Sequence, residues 1–80
     1  MKARVIVTLK NGVLDPQGKA IEGALAGLGF GGVESARQGR VIDLEVADRD
    51  PAAAKARIAE MCEKLLANTV IESYAIEVDV

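Results

Sequence analysis

Three features of this 80-residue chain predict an α+β fold, with elements in the order βαββαβ and a mostly antiparallel sheet. The first and last segments, Lys2 to Lys10 and Tyr74 to Val80, alternate apolar and polar residues with period two. Two intervening segments place apolar residues at helical spacing, and each opens on Asp-Pro. Between those helices, residues 33–47 read as extended chain.

In the first strand, Ala3, Val5, Val7 and Leu9 share one face, opposite Arg4, Thr8 and Lys10. Ile6 is the apolar exception on the polar side, either covered by another subunit or singly exposed. Asn11-Gly12 has hairpin-turn chemistry, but no strand follows it, so it reads as a loop. Asp15 then caps a helix, because its carboxylate can accept the orphan N–H groups of the first turn while Pro16 has a suitable φ. Ile21, Ala24, Leu25 and Leu28 form its apolar stripe. Gly18, Gly23 and Gly27 each cost about 1 kcal/mol relative to alanine in a helix interior, so packing must hold this helix more than propensity does. Close approach of a neighbouring backbone is one use for such glycines, and a merely weak helix is the other reading. The G-x-G within Gly27 to Gly32 follows a helix and precedes a strand, the wrong order for a phosphate-binding turn.

Val33 to Gly39 and Arg40 to Ala47 read most simply as a hairpin turning at Gln38-Gly39. One long strand bent by a bulge at Gly39 is the open alternative. Ile42, Leu44 and Val46 share one face, against Asp43 and Glu45. Asp50-Pro51 starts the second helix, whose Ala54, Ile58, Met61, Cys62, Leu65 and Leu66 span roughly 140°, wider than the ~100° stripe that one sheet requires. The excess predicts a second contact, assigned to Leu66. Glu60 and Lys64 have the spacing of a helix ion pair. Asn68 is expected to end the helix in a left-handed conformation. Tyr74, Ile76, Val78 and Val80 mark the last strand. With one stripe per helix, the pattern is ferredoxin-like, with two helices on one face of the sheet and residues 1–80 forming one domain.

Half of the residues are apolar, 28% are charged and the net charge is -2. A chain this short buries only about 60% of its unfolded surface, so its core needs support from disulfides, a metal or a partner. Cys62 is the only cysteine and histidine is absent, which removes an internal disulfide, the common zinc sites and every imidazole-activated nucleophile. Oligomerisation is the support that remains. No run reaches the roughly 18 apolar residues of a membrane span and the start lacks a signal-peptide layout, so the expected location is cytoplasmic. An acidic balance with only Phe30 and Tyr74 as aromatics argues against a nucleic-acid surface.

The fold pattern selects no function. Acylphosphatases share it, but the loop after the first strand, Asn11-Gly12-Val13-Leu14, lacks the anion-binding arginine they need. Small-molecule-sensing dimers share it as well, often with a glycine after the first strand, and Gly12 keeps that alternative open. Nothing supports an enzyme acting by itself. Cys62 has no base to activate it and stands among Ile58, Met61 and Leu65, as a buried structural thiol would.

Three motifs carry a family resemblance across nearly the whole chain: Leu14-Asp15-Pro16-Gln17-Gly18, Arg37-Gln38-Gly39-Arg40, and the run from Cys62 to Glu72. Together they resemble the PurS family, the small subunits of phosphoribosylformylglycinamidine synthase. The run Cys62-Glu63-Lys64-Leu65-Leu66-Ala67-Asn68-Thr69-Val70-Ile71-Glu72 is the specific one; the other two motifs are weak alone. The resemblance implies a non-catalytic subunit that joins a glutaminase subunit to a large synthetase subunit, with ATP and Mg used by the synthetase and no cofactor held by this chain. It implies a homodimer or homotetramer. It also implies interface or structural roles, with no catalytic one, for Leu14, Asp15, Pro16, Gln17, Gly18, Arg37, Gly39, Arg40, Cys62, Lys64, Leu65, Leu66, Asn68 and Thr69. The glycine-rich Gly27 to Gly32 departs from the family pattern.

Overall fold

The first strand, β1 (Lys2–Leu9), is the centre of a three-stranded antiparallel sheet, between β2 (Arg40–Glu45) and β3 (Glu72–Val78). A computed structural model describes Met1–Val80. The register pairs Val5 with Ile42 on one side and with Ile76 on the other, and Ala3 with Leu44 and Val78. Period-two alternation therefore puts all these apolar residues on one face. Helix α2 (Pro51–Met61) and a π-helical turn (Cys62–Leu66) cover that face. Ala3, Val5, Val7, Ile58, Cys62 and Ala67 form the buried core, with Met61, Leu66 and the inward residues of β2 and β3 packed around it. On the opposite face, Ile6 is half-buried between its cross-strand neighbours Val41 and Ala75, beside the Arg4–Asp43 ion pair at 2.8 Å.

Both helices start as their sequences predict. Asp15 accepts the N–H of Gly18 at 2.8 Å ahead of α1 (Pro16–Gly27), and Asp50 accepts that of Ala52 at 3.4 Å ahead of α2. The predicted α+β class, an antiparallel sheet with two helices, holds. Several details within it differ from the sequence-based expectation.

Residues 33–39 pair with no strand, as neither a hairpin nor the first half of a bent strand. The reason is that their backbone and flanking groups bond elsewhere. The N–H of Ala36 goes to the Glu22 carboxylate at 3.0 Å and that of Gln38 to Asp15 at 2.7 Å. Helix α1 contributes no side chain to the core. The Cα trace has a radius of gyration of 15.8 Å, against about 12 Å for a compact chain of this length. Its 48 Å long axis is close to β1 and α1 laid end to end, roughly 26 and 18 Å at their ideal rises. The chain is thus a body, made of the sheet and α2, and an arm in which α1 runs out and residues 33–39 return beside it.

At the end of α2 the expected pattern changes phase. Ala67 N–H bonds to Cys62 C=O at 3.0 Å, an i to i+5 bond that widens the turn. The residues four and five after Cys62 now return to its face, and the third does not. Leu66 accordingly packs against the core while Leu65 is 82% exposed, the reverse of the assignment of the second contact to Leu66. Asn68 does not adopt a left-handed conformation; Asp79, at φ 59°, is the one non-glycine residue with positive φ. The helix ends instead at Ala67 in an extended conformation, and Asn68 closes a turn through its side-chain oxygen, which accepts Val70 N–H at 3.2 Å. Glu60 and Lys64 form no ion pair, because the π turn shifts Lys64 off the α-helical spacing that would align them.

Candidate functional site

The three sequence motifs meet where the arm joins the body. Asp15 is the centre of this joint. Its Oδ1 accepts Gly18 N–H at 2.8 Å, capping α1, and its Oδ2 accepts Gln38 N–H at 2.7 Å, which ties the returning segment to the helix start. The side chain is buried, yet these two N–H bonds, first Gly18 and then Gln38, hold its carboxyl below the usual carboxylate range against the opposing effect of burial. Arg37 completes the tie by donating to the carbonyls of Val13 at 2.9 Å and Lys10 at 3.1 Å.

Two glycines permit the close approach. A Cβ on Gly18 would lie 2.2 Å from Ala36 O, and one on Gly39 would lie 2.5 Å from Val7 O; both contacts are with backbone, which has little room to yield. Gly18 therefore has the backbone-approach role allowed by its sequence. Gly23 and Gly27 have open space instead, so they only weaken α1.

The third motif closes the other side of the joint. Arg40 donates to both carboxylate oxygens of Glu72, at 2.7 and 3.1 Å, and to Leu66 O at 2.7 Å. Glu72 also accepts Asn68 N–H at 2.7 Å, and the Arg40 bond followed by the Asn68 bond lowers its pKa. Lys10 Nζ reaches Thr69 O at 2.7 Å, and Lys10 N–H reaches Ile71 O at 2.8 Å. Cys62 lies beneath, fully buried, and burial raises its thiol pKa. Of the expected site residues, Asp15, Gly18, Arg37, Gly39, Arg40, Asn68 and Thr69 are brought together here. Pro16 and Gln17 line the cleft at this joint, Leu14, Lys64 and Leu65 are exposed around it, and Leu66 belongs partly to the core.

Lys10 and Glu22 lie outside the three motifs, and Gln38 and Glu72 lie within them without a site role of their own. One signal was present. An N-cap uses a single carboxylate oxygen, so the second oxygen of a buried Asp15 required another donor. That donor is Gln38. A shallow cleft at the joint is lined by Val7, Leu9, Asp15, Gln38, Arg40 and Glu72 among others, and no buried side-chain polar atom is left without a partner. No cluster of three or more His, Cys, Asp or Glu is placed to hold a metal. The arrangement is suited to holding two parts of a chain in fixed relation.

The profile of a family described as PurS, phosphoribosylformylglycinamidine (FGAM) synthase, matches residues 2–80. The chain belongs to the PurS family. It is 48% identical to the PurS subunit of Bacillus subtilis phosphoribosylformylglycinamidine synthase, over 98% of this chain and 92% of that one. It is 44% identical to the Methanocaldococcus jannaschii subunit, over 98% and 94%. Among solved structures, M. jannaschii PurS superposes with a TM-score of 0.85 at 43% identity, covering 95% of this chain and 92% of that one. A chain in the structure of PurLQS from Thermotoga maritima superposes with a TM-score of 0.86 at 33% identity, covering 95% and 93%. The chain is thus a PurS-type subunit of phosphoribosylformylglycinamidine synthase, an enzyme of purine biosynthesis. Its motif residues sit at a joint between arm and body.

Proposed function

We propose that this chain is the non-catalytic, bridging subunit of the synthase in the cytoplasm. It joins the glutaminase subunit to the large synthetase subunit, so that ammonia released from glutamine reaches formylglycinamide ribonucleotide without loss. ATP and Mg2+ act on the synthetase subunit and this chain binds neither. It works as a homodimer or homotetramer.

The observation that carries this reading is the likeness to a chain of the T. maritima PurLQS structure over 95% of the sequence. The joint supports it physically. Asp15 accepts two backbone N–H groups, Arg37 donates to two backbone carbonyls and Arg40 pairs with Glu72, so each of these side chains is engaged within the chain and the useful property of the region is its shape. A spacer between two subunits needs two surfaces held at a fixed angle, and the joint fixes the angle of arm to body.

The test is reconstitution of the synthase with and without this chain. Glutamine-dependent product formation should require it, while ammonia-dependent synthesis by the large subunit should persist in its absence. Unchanged glutamine-dependent activity without the chain would overturn the reading.

A further inference from the structure

Strand β3 has one edge with no partner in the chain. Its other edge pairs with β1, where Ile71 C=O accepts Lys10 N–H at 2.8 Å and Asp79 N–H donates to Lys2 C=O at 2.9 Å. Inward and outward hydrogen bonding alternate along an antiparallel strand. Ser73, Ala75 and Glu77 therefore bond to β1, while Tyr74, Ile76 and Val78 aim their N–H and C=O groups away from the sheet. The strand carries neither proline nor lysine, two residues that commonly blunt such an edge.

Strand β2 also has a free edge, but it is β3 that helix α2 packs against. An open, mostly apolar groove lies between them, lined by Ala52, Lys55, Ala56 and Ala59 of α2 and by Tyr74 and Ile76 of β3. The two strand residues that line the groove are thus among those whose backbone groups are free. Donors and acceptors repeated every second residue, about 7 Å apart, are satisfied by another extended backbone, and the groove beside them has room for its side chains. Lys55 forms no ion pair and no carboxylate lines the groove. A second copy's β3 and α2 would bring another Lys55 into the same groove and no acid to meet it. The occupant that fits is a strand from a different chain, apolar toward the groove and carrying one carboxylate.

We propose that an extended segment of another subunit of the synthase adds to the free edge of β3. Its backbone bonds to Tyr74, Ile76 and Val78, its apolar side chains fill the groove against α2, and its carboxylate pairs with Lys55. The proposal rests on the bridging role stated above and names one surface through which that role is exercised.

Amide hydrogen exchange on the full chain, alone and assembled with the other subunits, reads the added ladder directly. The amides of Tyr74, Ile76 and Val78 should exchange fast in the chain alone and slow by about tenfold or more in the assembly. Those of Ser73, Ala75 and Glu77, already bonded to β1, serve as protected references in both states. Unchanged rates at the three edge amides would overturn the proposal. Rates already slow in the chain alone would give the edge to a second copy and overturn it as well. Ala56→Glu, at an exposed helix position, should weaken assembly by about tenfold without altering sedimentation or melting of the chain alone. Lys55→Glu should weaken it too, and Lys55→Arg should retain it. Assembly undiminished by Ala56→Glu and Lys55→Glu would overturn the proposal. The reconstitution above decides bridging separately. Activity that requires the chain, with unprotected edge amides, removes this surface and leaves bridging standing; protected edge amides, with activity that does not require the chain, do the reverse.

Discussion

Asp15 Oδ2 accepts the backbone N–H of Gln38 at 2.7 Å, across 23 residues of sequence, while the other oxygen of the same carboxylate caps α1. One side chain thus sets both the start of the helix and the place where the returning segment crosses it. Any change that neutralises this carboxylate loosens the arm from the body.

The joint should therefore fail in acid. Asp15 and Glu72 both have folded-state pKa values below their unfolded ones, Asp15 mainly through the Gly18 and Gln38 N–H bonds and Glu72 mainly through Arg40. A depressed carboxylate contributes stability that is fully present above its unfolded pKa and is lost as pH falls through the folded value. Melting temperature followed from neutral pH to about pH 3 should drop more steeply for the wild type than for Asp15→Asn, which has already lost the ionised group. Parallel curves would show that Asp15 does not contribute through its charge.

Two glycines in one helix should respond oppositely to alanine. Gly18→Ala places a methyl 2.2 Å from Ala36 O and forces backbone apart, at a cost of about 1–3 kcal/mol. Gly23→Ala meets nothing within 4 Å and should stabilise by about 0.5–1 kcal/mol through helix propensity. Chemical denaturation of both variants checks the pair, and equal effects would contradict the close approach at Gly18.

The π turn assigns neighbouring leucines to different environments. Leu66→Ala removes packing against the core and should cost on the order of 2 kcal/mol. Leu65→Ala, at a side chain 82% exposed, should change stability by no more than about 0.5 kcal/mol. Denaturation midpoints decide this, and a larger loss at Leu65 would mean that the turn is α-helical in solution.

Cys62 should be inert in the folded chain. It is fully buried and its thiol pKa is raised by burial, so the reactive thiolate is scarce and shielded. A thiol reagent at neutral pH should label it only at the rate of unfolding, with fast labelling in denaturant. Rapid labelling of native protein would place the thiol at the surface.

Much of the fold was legible because its signals are local. Asp15 and Asp50 ahead of proline marked both helix starts, and alternation in β1 and β3 marked strands and their inward faces. The β2 boundary at Arg40 was also visible, but the segment before it was misread, since residues 33–39 look extended and extended chain need not pair. Asn68 has the chemistry of a left-handed cap, yet the i to i+5 bond at Cys62 ends the helix first. The site was legible as a set of motifs and not as a place.

The sequence by itself determined both helix starts with their caps, three strands and the apolar face of each, the absence of imidazole chemistry and the PurS family. These depend on residue identity and on spacings of a few residues, where backbone geometry leaves few choices. Only the tertiary structure decided that α1 stands away from the core, that residues 33–39 return along it, and that Asp15, Arg40 and Glu72 stand around one joint. Those outcomes depend on which distant donor satisfies a spare carboxylate oxygen and on where backbone can pass within reach of Gly18 and Gly39, and such long-range pairings leave no period in the sequence.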